Sequence, residues 1–100
     1  ISERLPGNIE EGFYRIAQEA LNNVLKHAQA RRVLIEVKSS EQITTLEISD
    51  DGVGFVMDQV QAKGGIGITS MFERAKRMGG KMKLDSTPRK GTYIKVEAGL

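Results

Sequence analysis

Cysteine is absent from this sequence, and with it go disulfides and thiolate metal sites; the absence fits a reducing compartment. No apolar run approaches the roughly 20 residues needed to span a bilayer, and no signal-peptide pattern opens the chain. Internal repeats and low-complexity tracts are missing too, and the ordinary apolar and charged fractions speak against disordered and fibrous classes. Aromatic residues are few, 5% of the chain, with no pattern of aromatics interleaved among basic residues. What is present is an ordinary mixture, 39% apolar and 28% charged with a formal net charge of +2. One hundred residues suit one small domain, and a start at Ile1 rather than methionine leads us to expect a piece of a larger protein.

Pro6-Gly7-Asn8 stops whatever precedes it, and Asn8 with Glu11 forms a capping-box-like start for a helix running to about Ala28. Val33 to Lys38 and Ile43 to Asp50 are rich in β-branched residues and read as a hairpin. Asp51 to Gly65 has little periodicity and reads as a long loop, of the kind that in compact domains is usually functional or mobile. Ile68, Met71, Phe72, Ala75 and Met78 follow helical spacing until Gly79-Gly80. Lys81 to Ser86 and Thr92 to Glu97 then form a second strand pair. This order predicts an α+β fold, a two-layer α/β sandwich with helices on one face of a mixed, mostly antiparallel sheet.

The first helix carries two chemistries. Phe13, Ile16, Ala17, Ala20, Leu21 and Val24 form one apolar stripe at 100° per residue. Glu19, Asn23 and Lys26 cluster elsewhere on the helix, with Arg15 before them and His27 at their edge. A carboxylate, an amide and a cation three and four residues apart suit a charged ligand, and they also suit a solvated face. Strand parity adds to this. Asp50 shares a face with Leu46 and Ile48, and Thr92 shares one with Ile94 and Val96, so both fall at the edge of a core. A carboxylate there is costly without a hydrogen-bond partner, although Asp50-Asp51-Gly52 is also ordinary turn chemistry. Gly52, Gly54, Gly65 and Gly67 bracket the long loop as though backbone approaches something closely at both ends. Neither the P-loop nor the dinucleotide fingerprint is present.

Taken in order, Glu19-x-x-x-Asn23, Asp50-x-Gly52-x-Gly54, Gly65-x-Gly67 and Gly91-Thr92 resemble the four sequence boxes of the histidine-kinase ATP-binding domain, the Bergerat fold shared with gyrase, the heat-shock chaperone and mismatch-repair ATPases. The resemblance covers nearly all of residues 1–100 as a single domain. The wording YRIAQEALNNVLKHA, DDGVGF and ERAKRMGG resembles the nitrate-sensor-like subfamily most. The resemblance implies ATP and Mg²⁺ as cofactors. Asp50 would accept a hydrogen bond from the adenine amino group, with Thr92 bonding nearby. Asn23 would give an oxygen to Mg²⁺, and Glu19 would act as general base or polarise a metal-bound water. Lys26 would neutralise phosphate charge, and His27 would lie near the ribose or adenine edge. Gly52, Gly54, Gly65 and Gly67 would let backbone approach the nucleotide, with a lid between Gly54 and Gly65.

The pattern departs from the family at Ile68, where leucine is usual, and in lacking a clear phenylalanine box, which leaves the lid short. The phosphoacceptor histidine is expected on a separate dimerisation domain, because His27, the sole histidine, belongs to the first box. Partners implied are that dimerisation domain and a response regulator with a helix-turn-helix output. The resemblance implies no direct nucleic-acid or membrane contact by this domain, and a cytoplasmic location as the cytosolic domain of a sensor that is free or membrane-anchored. Two other readings compete. An anti-sigma-factor serine kinase of the same superfamily would share these boxes. A nucleic-acid-binding module would use Arg31-Arg32 and the basic stretch from Lys76 to Lys83, and should show steep salt dependence.

Overall fold

The β-branched runs become four strands in a computed structural model that describes residues 6–25, 31–52, 68–87 and 90–99. Helix α1 spans Gly7–Asn23, strand β1 Val33–Ser39 and β2 Ile43–Asp50. Helix α2 spans Ile68–Arg77, followed by β3 Lys81–Thr87 and β4 Gly91–Gly99. The two expected hairpins form, and β2 and β4 pair between them to give the order β1-β2-β4-β3. Every described pair is antiparallel, so the expected parallel component does not occur among the described strands.

Register sets apolar residues in rows across the sheet, buried on the two central strands and exposed at Ile35 and Val37 of the edge strand β1. Ile35, Ile48, Ile94 and Leu84 stand opposite one another, as do Val37, Leu46, Val96 and Met82 in the next row on the same face. Ile9, Phe13, Ile16 and Ala20 of α1, with Met71, Ala75 and Met78 at the end of α2, close over the two central strands. The opposite face carries charge, with Lys38 beside Glu47 at 3.5 Å and Lys95 beside Glu97 at 3.2 Å. One face packed and one face solvated is the usual state of an antiparallel sheet. Thr44 is the single buried polar residue among those described, and its hydroxyl meets that of Ser39 at 2.8 Å.

Local expectations hold unevenly. The capping box does not form: Pro6 is the N-cap, no side chain caps the helix, and the Pro6 carbonyl accepts from the amides of Ile9 and Glu10. Proline's fixed φ already supplies the turn into the helix, so Asn8 lies inside α1 rather than before it. Leu21 and Phe72, both placed on apolar stripes, are each 38% exposed, because each lies at the margin of its stripe rather than its centre. The α1 backbone stays helical through Val24, and the expected continuation to Ala28 falls outside the described residues. The end of α2 matches expectation. Gly79 takes a left-handed φ of +77°, the Gly80 amide donates to the Ala75 carbonyl at 2.8 Å, and the chain reverses into β3.

Candidate functional site

One row of the sheet departs from the apolar rule. Val33, Asp50, Thr92 and Ser86 stand opposite one another across β1, β2, β4 and β3, one step beyond the row of Ile48 and Ile94. Alternation therefore puts a carboxylate and two hydroxyls on the core face at the end of the sheet. All three are half-buried. The Ser86 and Thr92 hydroxyls lie 2.9 Å apart, and Ser86 also donates to the Gly91 carbonyl at 3.4 Å. Asp50 Oδ1 accepts from the Gly52 amide at 2.8 Å, so the turn chemistry read from Asp50-Asp51-Gly52 is real. That bond uses one oxygen. Oδ2 has no partner among the described residues.

Two neighbours hold this end in shape. Gly91 has a left-handed φ of +91°, and a Cβ there would overlap the Asp50 carbonyl. Asp51 Oδ1 accepts from the Arg31 and Arg32 amides at 2.8 and 2.9 Å, which ties the entry to β1 to the exit from β2. The Arg32 amide bond, opposed by desolvation and joined by the Arg31 amide bond, its own backbone and the Arg32 charge, holds the Asp51 carboxyl below its ordinary value of 3.8. A depressed carboxylate contributes stability that is present above about 3.8 and is lost as pH falls through the folded value. Asp51→Asn is therefore expected to be less stable than the parent near neutral pH, with the gap closing in acid. Urea midpoints taken at about pH 7 and about pH 3 check this, and a gap independent of pH would rule it out.

The structure describes five of the ten residues singled out from the sequence. Asp50, Thr92 and Gly52 come together as above. Glu19 and Asn23 lie one turn apart on α1, both half-buried, and neither side chain bonds to another described residue. They are not linked to Asp50 or Thr92 by any hydrogen bond or ion pair among the described residues. Lys26, His27, Gly54, Gly65 and Gly67 lie outside the described residues. Ser86 is a member of the polar row that sequence reading missed, since only the β3–β4 register sets it beside Thr92. Among the described residues no group of three or more histidine, cysteine, aspartate or glutamate side chains could hold a metal ion by itself. No helix of the described residues is long and apolar enough to cross a membrane.

A two-layer sandwich with a carboxylate at the core-face end of a central strand defines the class of fold, and comparison with known proteins agrees with it. The histidine kinase domain of a blue-light activated kinase from Erythrobacter litoralis superposes with a TM-score of 0.71 over 96% of this chain and 46% of that one, at 20% identity. The histidine kinase AdeS of Acinetobacter baumannii does so with the same score at 15% identity, over 89% of this chain and 46% of that one. The family model described as histidine kinase-, DNA gyrase B-, and HSP90-like ATPase matches residues 8–100, and the chain belongs to that family. Among curated relatives, the sensor histidine kinase LiaS of Bacillus subtilis is 40% identical over 89% of this chain and 24% of its own length. The sensor protein VraS of Staphylococcus saprophyticus is 37% identical over 97% of this chain and 28% of its own. An uncharacterised sensor-like histidine kinase of Chloroflexus aurantiacus is 35% identical over 93% of this chain and 16% of its own. The chain thus spans between 16% and 28% of the length of these relatives.

Proposed function

We propose that this chain binds ATP·Mg²⁺ and presents the γ-phosphoryl group to a histidine on a separate dimerisation domain of a two-component sensor kinase. The observation that carries the reading is the Asp50–Thr92 pair, a half-buried carboxylate with one oxygen unpartnered among the described residues, beside a hydroxyl at the end of an apolar sheet face. A free carboxylate oxygen can accept the exocyclic amino proton of adenine, and Thr92, held by Ser86, offers a second bond beside it. Glu19 and Asn23 are half-buried and unengaged on one turn of α1, as ligand-facing groups should be.

Asn23 would hold Mg²⁺ through its amide oxygen, with phosphates and water completing the shell of a hard cation that keeps several waters. That ion, when bound, would neutralise charge on the phosphates. Glu19 would take the proton of the attacking group or orient the metal's water, Lys26 would face the phosphates and His27 the ribose or adenine edge. Gly52, Gly54, Gly65 and Gly67 would admit backbone close to the nucleotide. The parent protein is read as a nitrate-sensor-like kinase on the wording of YRIAQEALNNVLKHA, DDGVGF and ERAKRMGG together. Its partners would be its own dimerisation domain and a response regulator with a helix-turn-helix output, in the cytoplasm. The curated relatives, being sensor kinases, favour a histidine acceptor over the serine of an anti-sigma-factor kinase.

Phosphoryl transfer relies on positioning and charge neutralisation, and the nucleophile is proposed to lie on another domain. The chain alone is therefore expected to bind ATP in a calorimetric titration, more tightly with Mg²⁺ present. Incubated with γ-labelled ATP it should carry no phosphohistidine. Label on His27 would overturn the assignment of the acceptor to another domain.

A further inference from the structure

At the other end of the helical layer the last turns of α2 pack beside the first turn of α1. Between them lies a cleft of about 230 Å³ lined by Asn8, Glu11, Gly12, Arg74, Arg77 and Met78. Gly12 leaves room there for the Met78 methyl group, which a Cβ at position 12 would displace, and the two form an apolar floor. Along α1, Glu11 and Asn23 are 12 residues apart in sequence, or roughly 18 Å at 1.5 Å per residue. The cleft is therefore separate along α1 from Glu19 and Asn23, and none of its lining residues belongs to the polar row.

Its charges are unevenly matched. Some surface cations find carboxylates, Arg15 with Glu11 of the cleft wall at 3.8 Å, Lys38 with Glu47 and Lys95 with Glu97, whereas Arg31, Arg32, Lys76, Lys81, Lys83 and Lys90 pair with none among the described residues. Arg74 and Arg77, three residues apart on α2 and both lining the cleft, have no ion pair or side-chain hydrogen bond to any described residue. The dipole of α2 favours cations in its last turn, which accounts for the sign of these residues. It does not account for two planar guanidinium donors left without acceptors along the wall of a cavity. Guanidinium forks bind carboxylates and phosphates in bidentate fashion. Glu11 on the facing wall decides between the two, since a doubly charged phosphate would be repelled there more than a single carboxylate.

We propose that this cleft is a second ligand site, taking a carboxylate on Arg74 and Arg77 with the ligand's apolar part against Met78 and Gly12. The carboxylate can come from a small polycarboxylate or from acidic side chains of a polypeptide, and the test separates these sources. Amide resonances of Gly12, Gly79 and Gly80 in the 15N-labelled chain are followed while sodium citrate, a blocked Glu-Glu-Leu-Glu peptide, or sodium chloride at matched ionic strength is added. At least one of citrate and peptide should shift these resonances in a saturable manner that chloride does not reproduce. Tighter binding of citrate identifies a small-molecule source, and tighter binding of peptide a polypeptide one.

The double variant Arg74→Gln with Arg77→Gln should weaken binding by about tenfold or more. Glu11→Gln should strengthen it, because the opposing carboxylate is removed. Both variants should keep the parent's ATP affinity, so failure of this proposal is distinguishable from failure of the nucleotide reading. The proposal falls if neither probe exceeds chloride, or if the arginine double variant binds as the parent does.

Discussion

Replacing Gly91 with alanine is expected to destabilise the domain by at least about 3 kcal/mol, the largest stability effect of any single methyl group added here. Two costs coincide at this position. A side chain must adopt the left-handed φ of +91°, and its Cβ must occupy the space of the Asp50 carbonyl. The obstacle is backbone of the neighbouring strand, so no rotamer change relieves it. Relief requires β2 and β4 to separate where Asp50 and Thr92 face each other, and the candidate site should open with the sheet. Urea unfolding of Gly91→Ala measures the loss. Gly99→Ala, where an added Cβ meets nothing within 4 Å, is the matched control and should change stability little. Equal midpoints for the two variants would show that the β2–β4 contact is looser than the structure has it.

The second large effect is on binding. Asp50→Ala is expected to lower ATP affinity by about a hundredfold or more, the scale set by losing a charged acceptor to a buried donor. Alanine also strips the Gly52 amide of its acceptor, so some of that loss could come from the turn. Asp50→Asn separates the two. Its amide oxygen can still accept from Gly52, while its nitrogen offers a donor where the adenine amino group needs an acceptor. The asparagine variant should therefore unfold at nearly the parent's urea midpoint and still fail to bind ATP in a calorimetric titration. Normal affinity in a folded Asp50→Asn would remove adenine recognition from Asp50.

Much of the fold was legible because its signals are local. The β-branched runs placed Ile43–Asp50 to the residue and the other strands within two residues of their ends. Gly79-Gly80 marked the end of α2 because a left-handed residue there has few alternatives to glycine. The start of α1 was misread since Asn8 and Pro6 are both capable initiators, and which one caps depends on backbone geometry that composition does not contain. Leu21 and Phe72 were misjudged for a related reason. Periodicity gives the direction of a stripe, but the width that is covered depends on the partner surface.

The site divides along the same line. Sequence alone determined that Asp50 and Thr92 lie on core faces of their strands, because alternation in a strand has a period of two. It also determined that Glu19 and Asn23 share one side of a helix. That these belong to a histidine-kinase-type ATPase domain was legible in the order of the boxes. Only the tertiary structure decided that β2 and β4 are neighbours although α2 and β3 separate them in the chain. From that pairing follow the opposition of Asp50 to Thr92, the hydroxyl of Ser86 beside it, and the need for glycine at position 91. Register between distant strands is fixed by packing the whole core face at once, and no local window of sequence holds that information.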